Sequence, residues 1–217
     1  MSFPGSPRLL KGGLVLLDPV TSQVVRIIAL QYNPDTVTRT LQVQAVTESQ
    51  DRSEALRLKA PAVQTIKLDA EIDATDQLEL PDQNPVATRV GIYPALAVLE
   101  SLVNPTSAQL LQANALAAQG TLEIAPMIAP LALFVWSIRR LMPVRITDFS
   151  VTEEAFDPAL NPIRAKVSLG MRVLTVNDLG FDQKGGALFM SYLQGQERLA
   201  TMSPGAALGA LGITGIP

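Results

Sequence analysis

Ile163-Arg164-Ala165-Lys166-Val167-Ser168-Leu169-Gly170-Met171-Arg172-Val173 is the stretch that decides the fold class. Its apolar residues hold every odd position, and Arg164, Lys166, Ser168, Gly170 and Arg172 hold the even ones. Side chains of a strand point to opposite faces at successive residues, so this pattern predicts a half-buried antiparallel strand. The same alternation runs through Thr65–Asp73, where Ile66, Leu68, Ala70 and Ile72 oppose Thr65, Lys67, Asp69, Glu71 and Asp73. It recurs in Thr36–Val46, where Arg39 alone interrupts the apolar parity of Val37, Leu41, Val43 and Ala45. Leu14–Leu17, Val24–Leu30 and Leu131–Ser137 are apolar on both parities and predict more fully buried strands. Val144 and Ile146 share one parity whereas Phe149 and Val151 share the other, which predicts a bulge near Thr147–Asp148. Turn chemistry punctuates the runs at Asp18-Pro19, Asn33-Pro34-Asp35, and Asp157-Pro158 followed by Asn161-Pro162. The first and last predict hairpins around residues 18–22 and 155–162.

Between residues 92 and 119 the texture changes to that of a helical insert. Pro94 suits a first helical turn, with Leu96, Leu99, Leu102 and Val103 on one stripe, and Asn104-Pro105 ends it. Thr106 or Ser107 then caps a second helix running to Gln119, stopped by Gly120. A last helix is expected over 187–201, carrying Leu188, Phe189, Tyr192 and Leu199 on one side, before a Gly-rich extension from Ser203 to Pro217. The expected organisation is a β domain over 1–178 and a C-terminal helix with tail over 179–217.

Composition narrows the chemistry. The 217 residues include no Cys and no His, which removes thiol nucleophiles, Ser-His-Asp triads and Cys/His metal centres. Charged residues make up 17%, below the usual ~25%, and mean hydropathy is +0.24, so burial against other subunits is attractive. A net charge of −3 offers no polycationic face for nucleic acid. The longest apolar run, Ile124–Ile138, is broken by Pro126 and Pro130 and falls short of the ~20 residues of a membrane span. With no targeting segment in view, the expected location is the cytoplasm, without membrane insertion.

The candidate chemical residues are carboxylates. Asp69, Glu71, Asp73, Asp76, Glu79 and Asp82 form an acidic run, three of them on one strand face, but the glycine and spacing of a calcium loop are missing. Adjacent Glu153 and Glu154 must point to opposite faces; only a cross-strand pair among Asp148, Glu153, Glu154 and Asp157 would serve a glycosidase. The expectation is therefore no catalytic residue, no cofactor and no metal. Instead, Asp69, Glu71 and Asp73 on one strand, and Arg164, Lys166 and Arg172 on another, are expected to meet as acidic and basic faces, within a protomer or across an interface. The lone Trp136 is expected in the core.

A set of short patterns also stands in fixed order: Lys11-Gly12; Tyr32-Asn33-Pro34-Asp35; Leu68 through Asp76; Gly91-Ile92-Tyr93-Pro94-Ala95-Leu96 through Glu100; Val135-Trp136-Ser137; Leu141 through Ile146; and Phe156-Asp157-Pro158 through Val167. Over residues 11–178 this resembles the tube-type baseplate proteins of contractile injection systems, the phage-tail-like particles whose tube-initiator members often carry a LysM module. Two departures stand out: Trp136-Ser137 replaces the family's usual Trp-Gly, and no LysM module is recognisable in residues 179–217. The resemblance implies a mainly β, α+β fold, a tail-tube-like antiparallel β-barrel or sandwich with a helical insert and a C-terminal extension. It further implies a homohexameric ring at the tube–baseplate junction, whose partners are the inner tube, the spike and other baseplate subunits. The alternatives are an inner tube subunit or, in a different class, a cell-wall glycan-binding module or carboxylate-driven hydrolase.

Overall fold

The structure is a computed structural model that describes residues 9–45, 57–119 and 128–216. Val46, the helix stop Gly120, the start of the apolar run at Ile124 and Pro126, and Pro217 lie outside the described residues.

Among the described residues seven strands form one antiparallel sheet: β1 (Gly13–Leu17), β2 (Val24–Ala29), β3 (Val37–Ala45), β4 (Leu58–Asp73), β5 (Leu131–Ser137), β6 (Arg140–Phe156) and β7 (Pro162–Val173). Their spatial order is β2-β1-β5-β6-β7-β4-β3, so the sheet is open, with β2 and β3 at its edges. The expected mainly β, α+β class holds. Alternation works as the sequence predicts: Ile66, Leu68 and Ala70 of β4 and Ala165, Val167, Leu169, Met171 and Val173 of β7 are all buried. Burying a side chain such as Ile66 or Leu169 contributes about 1.5–3 kcal/mol, so these two strands anchor the core.

The parity switch in β6 is a bulge between Ile146 and Asp148. There Asp148 stands opposite Gly170, and a Cβ on Gly170 would lie 2.6 Å from the Asp148 carboxylate. The glycine is what lets the bulged side chain fold over the neighbouring strand. Both predicted hairpins are present, β1 pairing with β2 and β6 with β7. β4 begins seven residues before the alternating stretch starts, because Pro61, which has no N–H for the ladder, falls where its pairing to β3 is irregular and blurs the pattern.

Helices lie between β4 and β5: α1 (Thr75–Leu78), α2 (Pro85–Val90), α3 (Tyr93–Glu100) and α4 (Ser107–Ala118), with a 3-10 turn at Pro81–Gln83. The helical insert thus begins earlier than residue 92. Its start is set by Asp73, whose Oδ1 accepts the Thr75 N–H at 2.7 Å as the strand ends. Pro94 sits in the first turn of α3 as expected, and Thr106 forms a capping box with Gln109 at the head of α4. The C-terminal helix α5 (Lys184–Thr201) starts three residues earlier than the sequence suggests. Its Phe189 and Tyr192 join Ile92, Leu96 and Leu99 of the insert in the same core cluster as the strands. Trp136 is half-buried and packs against that cluster, stacked on Phe134 at 6.0 Å between ring centroids.

Candidate functional site

Five of the six charged residues singled out in the sequence, Asp69, Glu71, Asp73, Arg164 and Lys166, share the polar face at one end of the β4–β7 pair because the strand register brings them there, whereas Arg172 stands opposite Thr65. Asp73 stands opposite Arg164, Glu71 opposite Lys166 and Asp69 opposite Ser168 across the β4–β7 pair. On the other side of β7, Glu154 of β6 stands opposite Arg164. Three strands therefore present acids, bases and acids in turn. Arg164 Nε reaches Asp73 Oδ2 at 2.9 Å, and the Ser168 hydroxyl donates to Asp69. Lys166 turns away from the facing Glu71 and reaches Glu154 at 3.5 Å instead. Arg172 leaves the face altogether and pairs at 2.7 Å with Asp178, in the turn after β7. Pairs this exposed are worth about 0–1 kcal/mol each, enough to favour one register but not to hold the sheet together.

Two of these carboxylates titrate below their ordinary range. Asp73 is held down first by the Thr75 hydroxyl and its backbone N–H, with Arg164 adding to the effect. For Asp178, burial pushes upward, but the Thr175 backbone N–H and the Arg172 charge outweigh it. The remaining acid candidates fall apart in space or in role. Asp157 accepts from the backbone N–H of Ala159 and Asn161, both at 2.8 Å, and from the Asn161 side chain at 2.7 Å, so it ties the β6–β7 turn. Asp148 is at the bulge, and Glu153 and Glu154 face opposite sides of β6, as their adjacency requires. Among the described residues Asp73 is the one carboxylate lining a cleft of about 340 Å³ beside Gln31, Gln77 and Asn84. Among the described residues no three potential ligands cluster around a common metal position, and no helix is long and apolar enough to cross a membrane.

The ordered sequence patterns become physical junctions. Asn33 brackets the N-terminal segment, its Nδ2 donating to the Leu10 carbonyl at 2.7 Å and its Oδ1 accepting the Gly12 N–H at 2.9 Å. Gln31 does the same to the end of β4, donating to the Asp73 carbonyl at 2.7 Å and accepting its N–H at 3.0 Å. The connection between edge strands β2 and β3 is thereby fastened to β1 on one side and β4 on the other. Gly91, with φ of +56°, brings the start of α3 onto the β6–β7 turn, where the Ile92 N–H donates to the Pro162 carbonyl at 2.9 Å.

One expectation is corrected. Val24–Leu30 reads as a buried strand, yet only Leu30 is buried, while Val24 and Ile27 are 58% and 69% exposed. Among the described residues β2 has β1 as its one strand neighbour, and no other strand pairs with its far edge. An apolar strand states that its surface suits burial; it does not state against which molecule. On the other edge, Leu41 and Val43 of β3 are also exposed. Arg39, the break in the alternation of β3, lies on the apolar parity and donates to the Tyr192 hydroxyl at 3.0 Å, linking β3 to α5. Sequence periodicity marks that residue as odd without revealing its partner, 153 residues away.

No protein-family model matches the chain, and no curated protein matches it. Among solved structures, it is similar to a chain in the "Tail of empty GTA particle computed with helical refinement, C6 symmetry", at 12% identity, covering 75% of this chain and 90% of that one, with a TM-score of 0.29.

Proposed function

We propose that this chain is a structural, non-catalytic subunit of a phage-tail-like contractile injection system. Six copies form a ring at the tube–baseplate junction that joins the inner tube to the spike and its neighbouring baseplate subunits. The observation that carries the reading is the open sheet: among the described residues β2 offers an unpaired edge with exposed Val24, Val25 and Ile27, and β3 offers the opposite one. Bare apolar edges are a liability in a monomer and an assembly device in a closed ring, where the edge of one protomer continues into the next. The ordered patterns from Lys11 to Val167 support this kind of assembly, through their resemblance to tube-type baseplate proteins. A non-catalytic role agrees with a cleft whose one carboxylate among the described residues, Asp73, is engaged by Thr75 and Arg164. Assembly takes place in the cytoplasm, and the product is part of a particle.

Negative-stain imaging of the purified protein tests this reading. Six-fold rings with a central opening are expected, and a Val25→Pro or Ile27→Asp substitution on β2 should abolish them while the protomer stays folded by circular dichroism. Particles without rotational symmetry, or rings indifferent to both substitutions, would overturn it.

A further inference from the structure

Two surfaces unused by the charged face or the strand edges match each other in chemistry. The first is a groove of about 500 Å³ between the β5–β6 turn and α5. Leu141 and Tyr192 form part of its wall, exposed Ile138 and Met202 flank it, and Arg139 and Arg198 bring positive charge. Among the described residues no carboxylate lines it and neither arginine makes an ion pair. Glu197 is the adjacent acid on α5 and is not among the lining residues. The second surface is the knob formed by α1, the Pro81–Gln83 turn and the start of α2. It carries the rest of the acidic run, Asp76, Glu79 and Asp82, all exposed and without an ion pair among the described residues, around exposed Leu80 and Val86. Arg89 is the one cation in residues 74–91.

The fold keeps these two surfaces apart. The groove lies at the start of β6, whereas the knob follows the end of β4, at the level of Arg164 and Glu154 near the other end of β6. At about 3.3 Å per residue that separation along the strand approaches 45 Å, beyond any contact within one protomer. A basic apolar groove and an acidic apolar knob at opposite ends of one molecule are complementary for a second copy, head to tail.

We propose that the Asp76–Val86 knob of one copy docks in the Arg139/Arg198 groove of the next. This rests on the reading of the chain as a self-assembling subunit, and adds to the strand-edge contact a second, electrostatic one. Such contacts govern orientation and encounter rate and weaken with salt, because the screening length falls from about 10 Å at 0.1 M to about 3 Å at 1 M.

The test is reciprocal charge reversal, read by analytical ultracentrifugation of the full chain. R139E/R198E and D76R/E79R/D82R are each expected to weaken self-association at least tenfold at low salt, and the five substitutions combined in one chain should restore it. Circular dichroism shows whether each variant folds, and raising salt on the wild-type protein gives the same readout without mutation. If the wild type assembles and neither reversal nor salt changes it, the knob–groove contact is wrong and the edge-mediated ring survives. If both reversals weaken association but the combined variant does not recover, direct pairing of the two surfaces is overturned. A wild type that stays monomeric at all concentrations overturns both proposals.

Discussion

Replacing Gly91 with alanine probes the junction that seats the helical insert on the sheet. Gly91 has φ of +56° and ψ of −137°, a conformation that side chains other than hydrogen resist, at a cost of about 1–3 kcal/mol. An added Cβ would also lie 2.2 Å from the Pro162 carbonyl oxygen, a backbone atom held by the β6–β7 hairpin. Relieving that clash separates Ile92 from Pro162 and forfeits their hydrogen bond, a further ~0.5–1.5 kcal/mol. The sum is roughly 2–4 kcal/mol, and at ~2–4 °C per kcal/mol for a chain of this size the melting temperature should fall on the order of 10 °C. Urea unfolding followed by circular dichroism, at a concentration where variant and wild type share one association state, measures it; the midpoint should drop with little change in slope. Gly195→Ala is the control, since a Cβ there meets nothing within 4 Å and removing a helix glycine stabilises by up to ~1 kcal/mol. A Gly91→Ala protein within ~0.5 kcal/mol of wild type would refute the reasoning, because that is the range of a neutral surface change.

Lowered carboxylate pKa values fix the sign of the pH response. Asp73 and Asp178 sit below the ordinary 3.8, so their stabilisation is complete above that value and is lost as pH falls through their folded-state values; acid unfolding curves should be flat near neutrality, and Asp178→Asn should flatten the acid limb. Thr106→Ala removes the capping box and should lower α4 stability by about 1 kcal/mol, visible as faster amide exchange confined to residues 107–118. Reversing both Asp69 and Glu71 to lysine sets like charges beside Arg164 and Lys166, and should destabilise the β4–β7 pair by roughly 1 kcal/mol in chemical denaturation. Incubation with cell-wall glycan should release no reducing ends; release that vanishes in a Glu153→Ala, Glu154→Ala or Asp157→Ala variant would reopen the hydrolase alternative.

Strand alternation was legible because β7 and the last half of β4 bury one face and wet the other, so every residue in Thr65–Asp73 and Ile163–Val173 carries the signal. The Thr147–Asp148 bulge was equally readable, since one extra residue must reverse the parity of everything after it. α1 and α2 were harder to see: six residues or fewer, no buried stripe, and acids that continue the strand's own acidic pattern past Asp73. The exposure of β2 could not be read at all, because hydrophobicity is a property of the residue and position at a sheet edge is a property of the topology. Of the acids and bases that the sequence sets on alternating faces, Arg164 and Asp73 pair with each other, while Lys166 and Arg172 take Glu154 and Asp178. Which base takes which acid depended on diagonal geometry, as when Lys166 prefers Glu154 to the facing Glu71. Gln31, Asn33 and Arg39 act through partners 21 to 153 residues away, distances over which local pattern carries no information.

Mass photometry of the full chain in low salt asks whether the bare edges of the sheet exist to be filled by other copies. The expected result is a dominant species at six times the 23.2 kDa chain mass, lost when Ile27→Asp places a charge on β2. A single species at 23.2 kDa across the whole accessible concentration range would contradict a ring-forming structural role.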